Sequence, residues 1–462
     1  IVTMTMWRPE ITGRPGPRYK AIADALAEDI EGGRLRDGDR LPTHRELAEH
    51  LALTVGTITR AYAEAERRGL VHGEVGRGTF VGPADRGLEE ATGPEDADII
   101  DLGLNLPLDA ESPDLARALR DLGQRADLAA LLAYQPFAGS VRYRQVGVDW
   151  IARHGLAVAP EQVVVTAGAQ HAILVALSAL CDAGDTVLSE ALTYPGLRTA
   201  AALLGLKTAP VAMDGEGMRP DDLERMVGET GARVVYCMPT LHNPTTSTMS
   251  ARRRQTICDV ARRLDLQIVE DDVHGLLQPD APPPLALSAP DRTLYVASIS
   301  KVLAGGLRVA FVAAPSDVID RLGFAVAASL WTLPALSLEV AARWIADGTA
   351  EAIIARKREE AAARQHLVAR ILPRECVRSA GCAYFFWLEL PSPWRTDRFV
   401  RAARERGVVV TPAEAFATGG AEAPAAVRVS ISAPAARDRV ESGLRTLAEL
   451  LARGPAPAAA IV

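Results

Sequence analysis

Strong charge of either sign is missing from this chain. Its 462 residues carry a formal net charge of -7, which gives no global attraction to nucleic acid or to an acidic membrane. Paired cysteine spacing is missing too. Cys181, Cys237, Cys258, Cys376 and Cys382 fall at irregular intervals without a C-x-x-C pair. That excludes a disulfide framework or a cysteine zinc site and points to reduced thiols in a cytoplasmic protein. No apolar run reaches membrane-spanning length, and the N-terminus lacks the apolar stretch of a secretory leader. No membrane partner is expected. Ile1 is not an initiator residue, so the expected start is Met4 or Met6, or else the first residues are a remnant. What is present is length and apolar content: 462 residues at 48% hydrophobic imply two domains and a large core.

The first stretch, 17–82, reads as helices and a hairpin. Tyr19 to Ile30 places Ile22, Ala25, Leu26 and Ile30 on one helical face. Gly32, Gly33, Gly38 and Asp39 interrupt it. Thr43 is an N-cap candidate with Glu46 three residues on, a capping box, and its helix ends near Ala52. Thr54 caps a third helix, Val55 to Arg68, with Ile58, Ala61, Tyr62 and Ala65 on its apolar side. Val71 then starts a strand, and Gly73, Gly76 and Gly78 alternate with Val75, Arg77, Thr79, Phe80 and Val81 as in a β-hairpin. Helix, helix-turn-helix and hairpin form the winged helix-turn-helix order, whose second paired helix enters a DNA major groove. The segment is not basic, since ten Lys/Arg meet eleven Asp/Glu between residues 17 and 82. Its acids gather in the first helix, at Asp24, Glu28, Asp29 and Glu31, on the side expected to face away from DNA. A winged helix used for protein contact is the other reading.

This segment resembles the DNA-binding domain of the GntR family of bacterial regulators. The matching runs are Gly33-Arg34-Leu35, Gly38-Asp39-Arg40-Leu41-Pro42-Thr43-His44-Arg45-Glu46-Leu47-Ala48, Thr57-Ile58-Thr59-Arg60-Ala61-Tyr62, Gly69-Leu70 and the wing Gly76-Arg77-Gly78-Thr79-Phe80-Val81. The resemblance implies double-stranded promoter DNA as a partner, approached by Thr43, Arg45, Thr54, Val55, Gly56, Thr57, Thr59 and Arg77. Val55 and Gly56 stand where the family often has Arg or another polar side chain, which thins direct base readout. Residues 15–82 are the expected domain. Residues 83–98, rich in Pro, Gly, Asp and Glu, read as a flexible acidic linker. As a random coil its sixteen residues would span roughly 20–25 Å.

From residue 99 to 452, strand-like and helix-like runs alternate. Val163-Val164-Val165-Thr166 precedes a helix from Gln170 to Leu180, Thr186-Val187-Leu188 one from Gly196, and Val234-Val235-Tyr236-Cys237 one from Ala251. Leu266 to Glu270 and Leu294 to Ser298 follow. This is the βαβ pattern of a mainly parallel sheet, which binds ligands at the C-terminal ends of its strands. The last of these strands leads into Ser298-Ile299-Ser300-Lys301, with Arg308 seven residues beyond the lysine. A Lys at the end of a buried strand is partly desolvated and becomes a nucleophile toward an aldehyde. Two hydroxyls and an Arg suit one phosphate. Aldehyde plus phosphate suggests pyridoxal 5′-phosphate (PLP); a surface lysine after an edge strand is the alternative. Thr166-Ala167-Gly168-Ala169-Gln170 reads as a strand end and helix start, an anion cradle. Tyr194 could stack on a planar ring or pack in the core. Asn243 lies in an Asn-Pro turn. Glu270-Asp271-Asp272 could mark a metal, but no His or Cys partners stand at metal spacing, so none is expected. A carboxylate there could instead keep a pyridine nitrogen protonated. Arg428, alone in an alternating strand, reads as a clamp for a carboxylate.

The order G-A-Q, Tyr194, N-P-T, E-D-D, S-x-S-K and late Arg resembles the aminotransferase class I/II body, the fold-type I PLP enzymes. The fold class is therefore α/β, a winged helix-turn-helix followed by that body with a mainly parallel central sheet. The resemblance implies Lys301 as the Schiff-base lysine and Asp271 as partner of the pyridinium nitrogen. It implies Asn243 on the 3′-oxygen, Tyr194 on the ring, and Gly168, Ala169, Gln170, Ser298, Ser300 and Arg308 on the phosphate. Arg428 would bind an α-carboxylate, and Tyr134 would reach the phosphate of a neighbouring subunit, which implies a homodimer. Three positions depart from the family. His274 stands at the tyrosine near the 3′-oxygen, Gly305 replaces a common Pro, and Thr246 replaces the Gly of N-P-T-G. An imidazole could donate to that oxygen, with a protonation expected to change near neutral pH. The two halves together resemble the MocR subfamily of transcriptional regulators. That resemblance implies a cytoplasmic, head-to-tail dimer that senses an amino acid or amine through an external aldimine. A working aminotransferase with an appended winged helix is the alternative.

Overall fold

The computed structural model describes residues 7–11, 17–32, 34–35, 39–68, 70–74, 78–81, 99–108, 113–125 and 127–455. Arg77 and the expected linker 83–98 lie outside the described residues. The chain divides into two compact units, Ile1–Pro94 and Glu95–Val462.

In the first unit, α1 (Arg18–Glu31), α2 (His44–Leu51) and α3 (Val55–Arg67) precede an antiparallel hairpin of β1 (Val71–Glu74) and β2 (Gly78–Val81). The Thr43 hydroxyl accepts from Glu46 N, and the Glu46 carboxylate accepts from Thr43 N at 2.8 Å, completing the capping box. Ala52, at φ 50°, closes α2, and the Thr54 hydroxyl caps α3 by accepting from Thr57 N. Ile22, Leu26, Leu47, Ile58, Tyr62, Val71 and Val81 form the core. Trp7, outside the expected domain 15–82, is 6% exposed and belongs to that core. Asp29, one of the first-helix acids expected to face away from DNA, is buried. Its carboxylate accepts from the Trp7 indole at 2.8 Å and from Arg34 Nε at 2.7 Å. A buried acid needs such donors, because desolvating a carboxylate without partners is costly.

The second unit begins with β3 (Ile100–Asp101) and is built on a seven-stranded sheet. Its strands are β4 (Val163–Thr166), β5 (Thr186–Glu190), β6 (Lys207–Val211), β9 (Val234–Cys237), β10 (Gln267–Asp271), β11 (Thr293–Ser298) and β12 (Ala310–Ala313). Between β6 and β9 lies a small hairpin, β7 (Met213–Asp214) with β8 (Gly217–Met218). The order across the sheet is β4-β12-β11-β10-β9-β5-β6, and only β12 runs antiparallel to its neighbours. Helices cover both faces, so a strand such as β4 reads as a continuous apolar run rather than an alternating one; Val163, Val164 and Val165 are all fully buried. A second, four-stranded antiparallel sheet orders β13 (Val377–Arg378), β14 (Phe385–Glu389), β17 (Ala426–Ser430) and β16 (Thr411–Pro412). The short β15 (Val408–Val409) pairs with β3, which brings the residues after β3 beside β17. No described helix is long and apolar enough to cross a membrane.

Candidate cofactor and effector site

Lys301 follows the C-terminal end of β11. Burial, with the Arg428 and Arg308 cations nearby, lowers its amine to a pKa of about 8, and Asp271 partly offsets this. The amine donates to the main-chain carbonyl of Asn105. Asp271 ends the neighbouring β10. Burial pushes its carboxyl up to about 6, against the pull of Tyr236, whose hydroxyl donates to it at 2.6 Å.

The three adjacent acids take three different partner sets. Glu270 accepts from Leu285 N and Ala286 N, both at 2.9 Å. Asp272 accepts from the Tyr295 hydroxyl at 2.6 Å and faces His154 Nδ1 at 3.0 Å. Burial works against the Asp272 charge, but these partners outweigh it and its pKa is lowered.

The cradle forms at Gly168, which caps the helix Ala169–Leu180 at φ 85°. A Cβ at Gly168 would stand 2.5 Å from the Arg308 guanidinium. Only glycine lets that cation lie against the helix start, where the first main-chain N–H groups have no intrahelical acceptor. The Ser298 hydroxyl receives Ser300 N at 3.2 Å. The Ser300 hydroxyl is buried without a partner among the described residues. The Gln170 side chain turns away and donates to Gly196 O at 2.8 Å, which leaves its main chain for the cradle. Tyr194 begins the helix Pro195–Leu203, and its ring covers the space a Gly196 side chain would need.

Arg428 on β17 is buried. It donates to Asn243 Oδ1 at 2.9 Å and to Gly103 O, and lies 4.8 Å from the centre of the Phe416 ring. Among the described residues no carboxylate pairs with it and its Nε has no acceptor; burial lowers its pKa to about 10. His274 is buried beside Phe385, ring centres 5.4 Å apart. Burial and the Lys301 cation hold its pKa down to about 3. This corrects the expectation of a histidine that titrates near neutrality. Tyr134 is not brought to the site of its own chain and is 80% exposed.

The buried Ser300 hydroxyl, the Gly168 cradle and the unpaired Arg428 fit a phosphorylated pyridine bound with a carboxylate-bearing partner. Sequence reasoning missed Asn105, Gly103, Tyr236 and Glu190. The last is fully buried at the end of β5, where Met238 N donates to it at 3.1 Å and burial raises its pKa to about 8. An acid closing an apolar strand was its available signal.

On the winged helix, Thr43, Arg45, Thr54, Val55, Gly56 and Thr59 are exposed and Thr57 is half-exposed. Thr54 and Thr57 share a hydroxyl contact of 2.9 Å, and Thr59 donates to Val55 O at 3.0 Å. A Cβ on Gly56 would meet only the Thr54 hydroxyl, at 3.9 Å, so the surface there is open to close approach.

Residues 97–447 match the aminotransferase class I and II family, and residues 18–81 match the gntR family of bacterial regulatory proteins. The uncharacterized HTH-type transcriptional regulator YdeF of Bacillus subtilis is 34% identical over 448 residues, 96% of each chain. The chain belongs to the MocR-type regulators, a gntR head on an aminotransferase class I and II body. A second similar chain is PtsJ of Salmonella typhimurium, a vitamin B6 salvage pathway transcriptional repressor. It is 29% identical, over 90% of this chain and 95% of its own. Among solved structures, LysN, the alpha-aminoadipate aminotransferase of Thermus thermophilus, aligns with a TM-score of 0.68 at 26% identity. The match covers 79% of this chain and 98% of that one. In MocR terms the exposed face of α3 belongs to the gntR head, and Lys301, Asp271 and Arg428 belong to the aminotransferase body.

Proposed function

We propose that this protein is a PLP-dependent transcriptional regulator. In this reading residues 15–82 bind promoter DNA, 83–98 connect, and 99–452 hold pyridoxal 5′-phosphate and an amino-group effector. The observation that carries it is Arg428, a buried guanidinium that no described carboxylate pairs, on the same site as a lysine amine. A buried cation without a counter-charge is costly. A compound with a carboxylate beside its amine would supply the missing partner.

When bound, the cofactor supplies an aldehyde that amines attack and a ring that accepts electrons. The chain's own residues do the rest. Lys301, with its lowered pKa, offers a free amine at mildly alkaline pH. Asp271, oriented by Tyr236 and Val273 N, holds a proton at the pyridine nitrogen. Ser298, Ser300, Arg308 and the main chain of Gly168, Ala169 and Gln170 hold the phosphate. Tyr194 covers the ring. Asn243, whose oxygen is taken by Arg428, has its NH2 left to donate to the 3′-oxygen. An effector acts on DNA binding only if it binds two states of the dimer with different affinity.

A second copy of the chain belongs to this reading. Leu132 (90% exposed), Tyr134, Phe324 (74%) and Trp331 (56%) are large apolar or aromatic side chains left exposed, with Phe137 against Trp331 at 5.4 Å. Exposed apolar side chains of this kind support contact with a second copy, which this reading arranges head to tail. The test is the absorbance spectrum of the purified protein, titrated with amino acids and amines, beside its affinity for DNA flanking its own coding sequence. A visible band that moves with one compound and persists, together with a change in DNA affinity, supports the regulator. No band after added PLP, or DNA affinity indifferent to every compound, overturns it. An active aminotransferase is the second reading, favoured by the lysine pKa of about 8, which suits proton transfer near neutral pH. A band that bleaches with an amino acid and returns with a keto acid would establish it.

A further inference from the structure

The segment after β3 crosses the site. Asp101 Oδ1 accepts from Gly103 N at 2.7 Å and Leu104 N at 3.2 Å. Leu102 N bonds to Val409 O at 2.9 Å, and the Thr411 hydroxyl donates to Gly103 O at 2.8 Å. These bonds fix the backbone on both sides of residue 103 and present Asn105 to His274. Asn105 Nδ2 lies 3.3 Å from His274 Nε2. His274 Nδ1 is buried with no partner among the described residues.

We propose that Asn105 is a positioning residue: its amide donates to His274 Nε2 and so places the imidazole proton on Nδ1, as a donor for the ring oxygen of the bound cofactor. This rests on the PLP reading above. A neutral imidazole carries one proton, so an Nε2 that accepts leaves Nδ1 as the donor. The ring is kept neutral by what surrounds it. Lys301, Arg428 and His242 all disfavour its charge, Asp272 alone favours it, and burial outweighs that. The neighbouring Phe385 ring offers no competing acceptor of comparable strength. His274 thereby performs the donation that the resembling family assigns to a phenol, but only while a residue 169 positions away holds its tautomer. The signal was invisible locally, because Asn105 lies in an unremarkable Leu-Gly-Leu-Asn-Leu-Pro run.

The experiment has two arms on the full-length chain. In protein freed of cofactor, 15N spectra of labelled histidine near neutral pH should show His274 as the Nδ1–H form. Asn105→Asp keeps the size but accepts instead of donating, and should move the proton to Nε2. With PLP added, a donor at the ring oxygen draws charge from it and loosens the proton on the lysine linkage. Asn105→Leu should therefore raise the pH midpoint of the visible band by about one unit, the scale of one lost hydrogen bond to a charged group. His274→Phe should raise it as far. A wild-type His274 protonated on Nε2, or a midpoint unmoved by Asn105→Leu, would overturn the proposal. No visible band in the wild type would instead overturn the PLP reading, while the 15N arm would still report the tautomer.

Discussion

Arg428 and Arg45 are both candidate anion-binding cations, yet one is buried against Phe416 and the other stands in solvent. The body fixes its groups in advance. Arg428 is held by Asn243 and Gly103, Asp271 by Tyr236, and His274 lies beside Asn105. Little side-chain entropy remains to be lost when a ligand arrives, which favours affinity for a small molecule. The winged helix fixes its backbone, through the caps at Thr43 and Thr54, and leaves its contact side chains outside. That suits phosphate contacts, which position a protein on DNA without reading sequence. In the proposed reading, one half serves chemical discrimination and the other docking.

Removing the lysine breaks this contrast most severely. Lys301→Ala should abolish the visible band and the effector response while DNA affinity without effector persists; a response that survives would sink the mechanism. Arg428→Gln should weaken binding of a carboxylate-bearing effector about 10- to 100-fold, the scale of a charge-assisted hydrogen bond, and leave the band in place. Titrating the band with effector checks this, and equal affinity would show that the buried cation serves packing alone.

Glu190 gives a pH test. In the unfolded chain it loses its proton near its ordinary value of 4.5, but in the folded chain only near 8. Between those values the folded state binds more protons, so this group's contribution to stability falls as pH rises. Glu190→Gln should flatten the decline in thermal midpoint between about pH 5 and pH 8; an unchanged slope would assign the decline to other groups. The smallest effect is expected in the head. Thr43→Ala removes one cap and should cost about 1 kcal/mol. It should lower the unfolding transition of the winged helix and leave the PLP band untouched. A shift in both would show that the two halves unfold as one.

Legibility in the sequence follows the range of the interactions. The capping box at Thr43, the cap at Thr54 and the valine run of β4 are local patterns, and the structure contains each of them. β5 and β10 run on through Glu190 and Asp271, because an acid in an apolar strand reads as its end when its buried partners are unseen. The burial of Asp29 is not legible for the same reason: its partner Trp7 lies 22 residues away. The protonation of His274 is not legible, because burial is decided by the whole fold. Thr246 adopts φ 61°, a conformation a β-branched residue rarely takes. Its replacement of a family glycine is readable, but not that the backbone keeps the glycine-like turn.

Trp7 separates two notions of a domain. The stretch that resembles other gntR heads begins at residue 18, yet the indole that fills the head's core and satisfies Asp29 lies eleven residues upstream. Ancestry and foldability therefore have different borders in this chain. A fragment cut where similarity starts would keep every motif of the head and lose a piece of its interior.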